Sequence, residues 1–188
     1  MILLIMTSLM ALTFMIERGR ALRKKNIIPD EIRDAIGEIR NDKDLQKLQK
    51  RCQGVPSALS RLILIAIEHL DLPRAENADA VQSKARQEIN NMERGLVVLE
   101  VTVGIAPLLG LVGAVHGLII MFIDFGAIAD NSSLAQGIAV ALHTTLVGLL
   151  IAIPSLIAWS FYNKKVESMA IELEAQMEAF LRRCYHNS

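Results

Sequence analysis

Three stretches of the chain are apolar, and polar sequence separates them. They are residues 1–16, 96–125 and 134–162. A spanning α-helix needs about 20 apolar residues, so the first stretch is short and the other two are long enough. Either the natural chain begins upstream of the first stretch, or that helix is thin at its outer end. The pattern predicts an all-α membrane protein with three transmembrane helices.

Charged residues are distributed unevenly around these stretches. Basic residues follow the first stretch, from Arg18 to Lys25, and Lys164 and Lys165 follow the third. The segment 124–136 contains acids and no Lys or Arg. Because cytoplasmic ends carry the positive charge, we expect a periplasmic N-terminus, a periplasmic loop over 126–133 and a cytoplasmic C-terminus.

The residues between the first two membrane stretches predict a cytoplasmic helical domain over 17–95. Proline, glycine and Asn/Asp signals divide it into helices at Asp30–Arg40, Asp44–Arg51 and Ser57–Leu70. The apolar run Leu62–Ile67 is too short to span a bilayer and predicts a buried core helix. A last helix begins after Pro73 and is expected to pass through Gly95 into the second membrane stretch.

Two amphipathic stripes predict long helices that extend from the membrane into the cytoplasm. One stripe lies before and within the second membrane stretch, at Ile89, Met92, Leu96, Leu99 and Val103. The other follows the third membrane stretch, in a C-terminal helix over 163–188, at Val166, Met169, Ile171, Leu173, Met177 and Phe180.

Composition narrows the class of protein. Hydrophobic residues make up 52% of the chain and aromatic residues 4%, the mean hydropathy is +0.36, and the net charge is zero. The balanced charge does not favour nucleic acid as a partner. We find no phosphate-binding glycine loop, no nucleophile triad and no paired carboxylates at catalytic spacing, and we expect no enzyme activity and no cofactor. Charges of both signs in the polar domain are expected to form a solvated face.

The two cysteines, Cys52 and Cys184, have no metal-binding or redox spacing. They are expected to be reduced cytoplasmic thiols. No metal site is predicted.

Small residues recur at three- and four-residue spacing in the second and third membrane stretches. They are Ala106, Gly110, Gly113, Ala114 and Gly117 in the second, and Ala141, Thr144, Thr145, Gly148 and Ala152 in the third. Such faces allow helices to approach closely in lipid. They predict either tight helix packing or a passage lined by threonine hydroxyls. Pro107 and Pro154 each remove a backbone hydrogen bond and are expected to bend their helices.

Two histidines, His116 and His143, lie inside these stretches at similar depth. An ionisable residue within the membrane is a functional candidate. Helical geometry turns both away from the small-residue faces, so we expect neutral imidazoles at helix contacts, bound to threonine or backbone groups. Packing is the first interpretation, and proton relay or gating is the second.

Three runs resemble motifs of the MotA/TolQ/ExbB proton-channel family, and ExbB and TolQ are the nearest members. From Ala106 the chain reads Ala-Pro-Leu-Leu-Gly-Leu-Val-Gly-x-Val-x-Gly. From Gly137 it reads Gly-Ile-Ala-x-Ala-Leu-x-Thr-Thr, and from Gly148 it reads Gly-Leu-Leu-Ile-Ala-Ile-Pro. The similarity extends over essentially the whole chain.

The resemblance implies a motor (stator) subunit of the bacterial inner membrane. It implies a homopentamer whose second and third spans surround single helices of an ExbD- or TolR-like partner. An aspartate of that partner takes up and releases protons, and the flow drives work on the envelope through a TonB- or TolA-like protein.

At single positions the resemblance implies an ion pathway through Thr144 and Thr145, with two departures. Ala114 stands where ExbB has a threonine, and Val140 stands where ExbB and TolQ have a glutamate. Flagellar-type stator proteins resemble the run around Val140 and also lack that acid. Two alternatives therefore stay open: a flagellar- or gliding-type stator subunit, and a pentameric membrane scaffold that does not conduct.

Overall fold

The computed structural model describes residues 2–39, 41–125 and 131–186, and side chains within these ranges except those of residues 42, 124, 125, 131–134 and 186. Most of the expected periplasmic loop, residues 126–130, lies outside the described residues. The described residues form α-helices, joined by short turns, and no strand. The helices are α1 (Ile2–Ala21), α2 (Lys24–Ile27), α3 (Asp30–Gly37), α4 (Asp42–Gly54), α5 (Ala58–Glu68), α6 (Arg74–Glu93), α7 (Leu96–Phe125) and α8 (Asn131–His186).

The chain divides into two units, each held by its own contacts. The apolar unit consists of Met1–Arg18 and Gly95–Phe161, and the polar unit consists of Gly19–Arg94 and Tyr162–Ser188. Helices α1 and α7 and the long α8 each contain a segment long and apolar enough to cross a membrane. The expected all-α membrane fold with three spanning helices is confirmed.

Helix bounds differ from the sequence interpretation by a few residues in α3, α4 and α5 and more clearly in α1, α7 and α8. Helix α1 continues to Ala21, and α8 already begins at Asn131. The expected continuous helix through Gly95 is wrong, because α6 ends at Glu93 and α7 begins at Leu96. Position 95 has no room for a side chain, because a Cβ atom there would collide with the guanidinium of Arg18.

The polar unit is built around α5. Leu59, Leu62, Ile63 and Ala66 are completely buried, so the apolar run expected to form a core helix does so. Ser57 begins this helix as its N-cap, where its hydroxyl oxygen accepts a hydrogen bond from the amide of Ser60 at 3.1 Å.

The C-terminal part of α8 contributes a second apolar stripe to the polar unit. Its buried members are Val166, Met169, Leu173, Met177 and Phe180. Ile171, which the sequence placed in the stripe, is 63% exposed. It lies about 200° around the helix from both Met169 and Leu173, and so on the opposite side.

Candidate functional site

Helices α7 and α8 of the apolar unit approach each other through glycines. A Cβ atom added to Gly148 would lie 2.6 Å from the carbonyl oxygen of Ala106 and 3.2 Å from the Cα atom of Gly110. One added to Gly110 would lie 2.9 Å from the carbonyl oxygen of Thr144. We call this region, formed by Ala106, Gly110 and Gly148, the glycine contact. Backbones can meet this closely only where side chains are absent or very small.

The alanines of the two small-residue faces, including Ala106 of the glycine contact, are buried. They are Ala106, Ala114, Ala141 and Ala152. The small-residue faces therefore hold α7 against α8 within one chain, as the packing interpretation predicts. If the two helices also line a passage, the groups that line it must lie at the edge of this contact.

The two threonines lie at that edge, and both are half-buried. The Thr145 hydroxyl donates to the carbonyl oxygen of Gly110 across the two helices at 3.5 Å, a long hydrogen bond. The Thr144 hydroxyl donates to the carbonyl oxygen of Ala141 at 2.8 Å, within α8. Its methyl group lies 3.3 Å from where a Cβ of Gly113 would be. Both hydroxyl oxygens can also accept hydrogen bonds.

Ala114 and Val140 do not come together on one surface. Ala114 is 7% exposed, whereas Val140 is 69% exposed. An Ala→Thr difference at position 114 therefore changes a buried position, and a Val→Glu difference at position 140 changes an exposed one.

Both membrane histidines are exposed on the apolar unit. Among the described residues, neither imidazole has a hydrogen-bond partner. The expectation that His116 and His143 bind threonine or backbone groups stays a prediction for contacts with other chains. The helix contacts at which we expect both histidines are then contacts with other chains.

Pro107 and Pro154 both lie inside their helices. Proline cannot donate to the carbonyl four residues earlier, so Val103 and Leu150 each lose that helical partner. Next to Pro154, the completely buried Ser155 donates its hydroxyl hydrogen to the carbonyl oxygen of Ile151 at 2.7 Å. The structure keeps both helices continuous through these positions.

The polar unit contains an ion pair with a buried carboxylate, which the sequence interpretation missed. Glu88 of α6 is 4% exposed and accepts two hydrogen bonds from Arg61 of α5, at 2.8 Å and 2.6 Å. Lys84 lies 3.7 Å away, one helical turn earlier. The hydrogen bonds from Arg61 lower the pKa of the Glu88 carboxyl group, whereas burial raises it. This carboxylate belongs to the core and not to the expected solvated face.

Among the described residues, neither Cys52 nor Cys184 of the polar unit forms a disulfide. Burial raises the pKa of both Cys52 and Cys184 to about 11. A thiol in such a site stays protonated at neutral pH and is a poor nucleophile. Among the described residues, no cluster of three or more His, Cys, Asp or Glu side chains has the arrangement of a metal site.

Three apolar helices of spanning length, two of them joined through glycines, define a multi-pass membrane protein. A family model described as the MotA/TolQ/ExbB proton channel family matches residues 55–175. The chain belongs to this family, and it is nearest to the ExbB branch. The matched residues include α5, α6 and α7 completely and α8 as far as Ala175, and therefore both sides of the glycine contact.

Several relatives named as ExbB proteins are similar to the chain. A putative biopolymer transport protein ExbB homolog of Methanothermobacter thermautotrophicus is 34% identical over 116 residues, which cover 62% of this chain and 42% of the relative. An ExbB-like protein of Synechocystis is 32% identical over 166 residues, covering 83% and 63% respectively. The biopolymer transport protein ExbB of Aquifex aeolicus is 30% identical over 115 residues, covering 60% and 77%.

Proposed function

We propose that the protein is the channel and motor subunit of a proton-driven complex in the bacterial inner membrane. With an ExbD- or TolR-like single-span partner, it couples the proton motive force to work on the outer membrane or envelope, through a TonB- or TolA-like protein. The family match over residues 55–175 carries this proposal. The relatives are named as biopolymer transport proteins, and these names support the proposed role in energising transport.

The proposed arrangement is a homopentamer with a periplasmic N-terminus and a cytoplasmic C-terminus. The basic residues after α1 and at Lys164 and Lys165 support this orientation. Helices α7 and α8 of the copies surround the helices of the partner. One proton crossing about 100 mV releases about 2.3 kcal/mol, so repeated transfers supply the work.

The half-buried threonines support conduction along this chain. Thr144 and Thr145 bring hydroxyl groups to the edge of the glycine contact in segments that are otherwise apolar. Hydroxyl groups can donate to and accept from water in a narrow path. The carboxylate that stores the proton is proposed to come from the partner, since Val140 cannot titrate.

A non-conducting scaffold is the second candidate function, and two observations favour it. Val140 leaves an exposed position of α8 without an acid, and the position of the family threonine is taken by Ala114, which is buried. A flagellar- or gliding-type stator is a related alternative, which the run around Val140 resembles.

Proton flux into lipid vesicles distinguishes conduction from scaffolding. The chain is reconstituted alone, with its single-span partner, and with a partner whose membrane aspartate is changed to asparagine. Conduction predicts flux only for the complex with the intact aspartate. An assembled complex that conducts no better than protein-free vesicles would establish the scaffold instead.

A further inference from the structure

Gly113 of α7 faces a side chain of α8, whereas the two glycines of the glycine contact face backbone. A Cβ atom added to Gly113 would lie 3.3 Å from the methyl carbon of Thr144 and 3.5 Å from its Cβ atom. At Gly110 and Gly148 the nearest atoms would be backbone carbonyl oxygens. The Thr144 methyl group therefore occupies space that a side chain at position 113 would need.

The position of this methyl group determines where the Thr144 hydroxyl points. In helices, threonine divides between two χ1 rotamers, because its hydroxyl can bond a carbonyl three or four residues earlier. Here the hydroxyl oxygen lies 2.8 Å from the carbonyl oxygen of Ala141 and 3.2 Å from that of Val140. The side chain is thus held from two directions, by α7 at its methyl group and by α8 at its hydroxyl.

A hydroxyl held in this way acts on its surroundings as an acceptor. Each hydroxyl has one hydrogen and two acceptor lone pairs, and Thr144 donates its hydrogen to Ala141. The Thr145 hydroxyl likewise donates to the carbonyl oxygen of Gly110. Hydronium donates hydrogen bonds, so oxygens turned in this way suit an excess proton better than they suit an anion.

We propose that Gly113 is a positioning residue of the proton path. It leaves room for the Thr144 methyl group and so keeps the Thr144 hydroxyl turned as an acceptor at the edge of the glycine contact. This inference rests on the proposed function, in which Thr144 lines the path. Gly113 has no side chain of its own to offer, so it acts only through Thr144.

The first test is Gly113→Ala, with Gly117→Ala as the matched control four residues later on α7. The new methyl group at position 113 would displace that of Thr144. A Cβ atom at Gly117 would lie 3.9 Å from the Cβ atom of Ala141, an ordinary contact. Proton flux is measured in vesicles that hold the chain with its single-span partner. We expect Gly113→Ala to lower the flux several-fold and Gly117→Ala to leave it near that of the natural complex.

Two double variants separate positioning from packing. Gly113→Ala with Thr144→Ser removes the threonine methyl group and keeps the hydroxyl, whereas Gly113→Ala with Thr144→Ala removes both groups. Both combinations relieve the close contact, so we expect both complexes to assemble, with the natural separation of α7 and α8 as measured between spin labels. The flux should return with serine and stay low with alanine.

Three results would overturn the inference while the proposed function stands. They are undiminished flux in an assembled Gly113→Ala complex, an equal loss in Gly113→Ala and Gly117→Ala, and equal flux in the two double variants. If Gly113→Ala alone does not assemble, the double variants decide, because neither contains the Thr144 methyl group. If the natural complex itself does not conduct, the proposed function fails first, and that outcome is seen before any variant is compared.

Discussion

At the scale of single residues, Glu88 explains how two helices of the polar unit are fixed. It occupies a position of the α6 stripe that otherwise contains Val81, Ala85 and Met92, all of them buried. Arg61 meets it with two hydrogen bonds. A carboxylate in such a place is stabilising only while its partner stays with it, since an unpaired buried charge is strongly unfavourable.

Replacing Glu88 with glutamine should destabilise the polar unit at neutral pH. The ion pair becomes a weaker hydrogen bond, and we expect the free energy of unfolding to fall by about 2 kcal/mol, the scale of hydrogen bonds to charged groups. Glu93→Gln, an exposed substitution in the same helix, is the control and should change it by less than about 0.5 kcal/mol. Denaturant unfolding followed by circular dichroism measures both.

The same variant predicts a pH dependence. Because the pKa of Glu88 is lowered from its ordinary value of 4.5, the pair stabilises the folded state above that value. The stabilisation is lost as the pH falls through the lowered pKa. The difference between natural protein and Glu88→Gln should therefore be largest near neutral pH and narrow below about 4.5. A difference that grows on acidification would contradict the assignment.

Sequence reasoning missed this residue for a physical reason. A glutamate among alternating charges is usually solvated, and only its three- and four-residue spacing from Ala85 and Met92 indicates an inward position. Arg61 lies 27 residues away along the chain, and it can be recognised as the partner only once α5 and α6 are packed together.

At the scale of helices, the glycine contact sets the distance between α7 and α8. Its spacing was predictable, since the small residues recur every three or four positions in both stretches. Whether those faces meet each other or line a passage was not predictable, because both uses require the same residues. The added-Cβ distances show that they meet.

Gly148→Ala should force the two helices apart. The new methyl group would lie 2.6 Å from the carbonyl oxygen of Ala106, which is backbone and cannot rotate away. We expect a loss of about 1–3 kcal/mol in stability, the usual cost of overpacking. Unfolding in detergent measures it, and spin labels on α7 and α8 measure the increased separation.

Gly104→Ala is the matched control for this contact. Nothing lies within 4 Å of a Cβ atom at Gly104, so the substitution should be neutral or slightly stabilising through helix propensity. Equal effects of the two substitutions would show that close backbone approach does not matter at Gly148.

The end of α8 is fastened to the turn between α5 and α6. The Tyr185 hydroxyl donates to the carbonyl oxygen of Leu72 at 2.7 Å and accepts from the side-chain amide of Asn77 at 3.1 Å. Asn77 is itself buried and donates to the carbonyl oxygen of Ala66. Three helices thus share one hydrogen-bond network.

Tyr185→Phe should loosen this turn without disturbing the core. Loss of the hydroxyl is expected to cost about 1 kcal/mol and to speed amide hydrogen exchange around residues 69–73. Arg183→Gln, which removes a bond to the carbonyl oxygen of Gly37, serves as the control and should leave that turn unchanged. Unaltered exchange in Tyr185→Phe would show that the network does not hold the turn.

At the scale of the whole molecule, the fold class followed from the sequence because long apolar stretches are an unambiguous signal. The surfaces were harder to interpret. Val140 and His143 lie on a face of α8 that no other helix of the described chain covers, so their roles depend on neighbouring copies and partners. That is why the histidines could be placed in depth but not assigned partners from one sequence.

In the proposed function, protons cross the membrane along the α7–α8 hairpin of this chain. Thr145 is the residue of the hairpin whose hydroxyl reaches from one helix to the other. Thr102 of α7 is the matched control, since its hydroxyl donates within its own helix to the carbonyl oxygen of Val98.

The most direct test is the proton flux through vesicle-reconstituted complexes that carry Thr145→Val or Thr102→Val, under an imposed membrane potential. Both substitutions remove a hydroxyl and nearly preserve side-chain volume. We expect Thr145→Val to lower the flux several-fold and Thr102→Val to leave it near that of the natural complex. Equal flux in the two assembled variants would contradict a path along this hairpin.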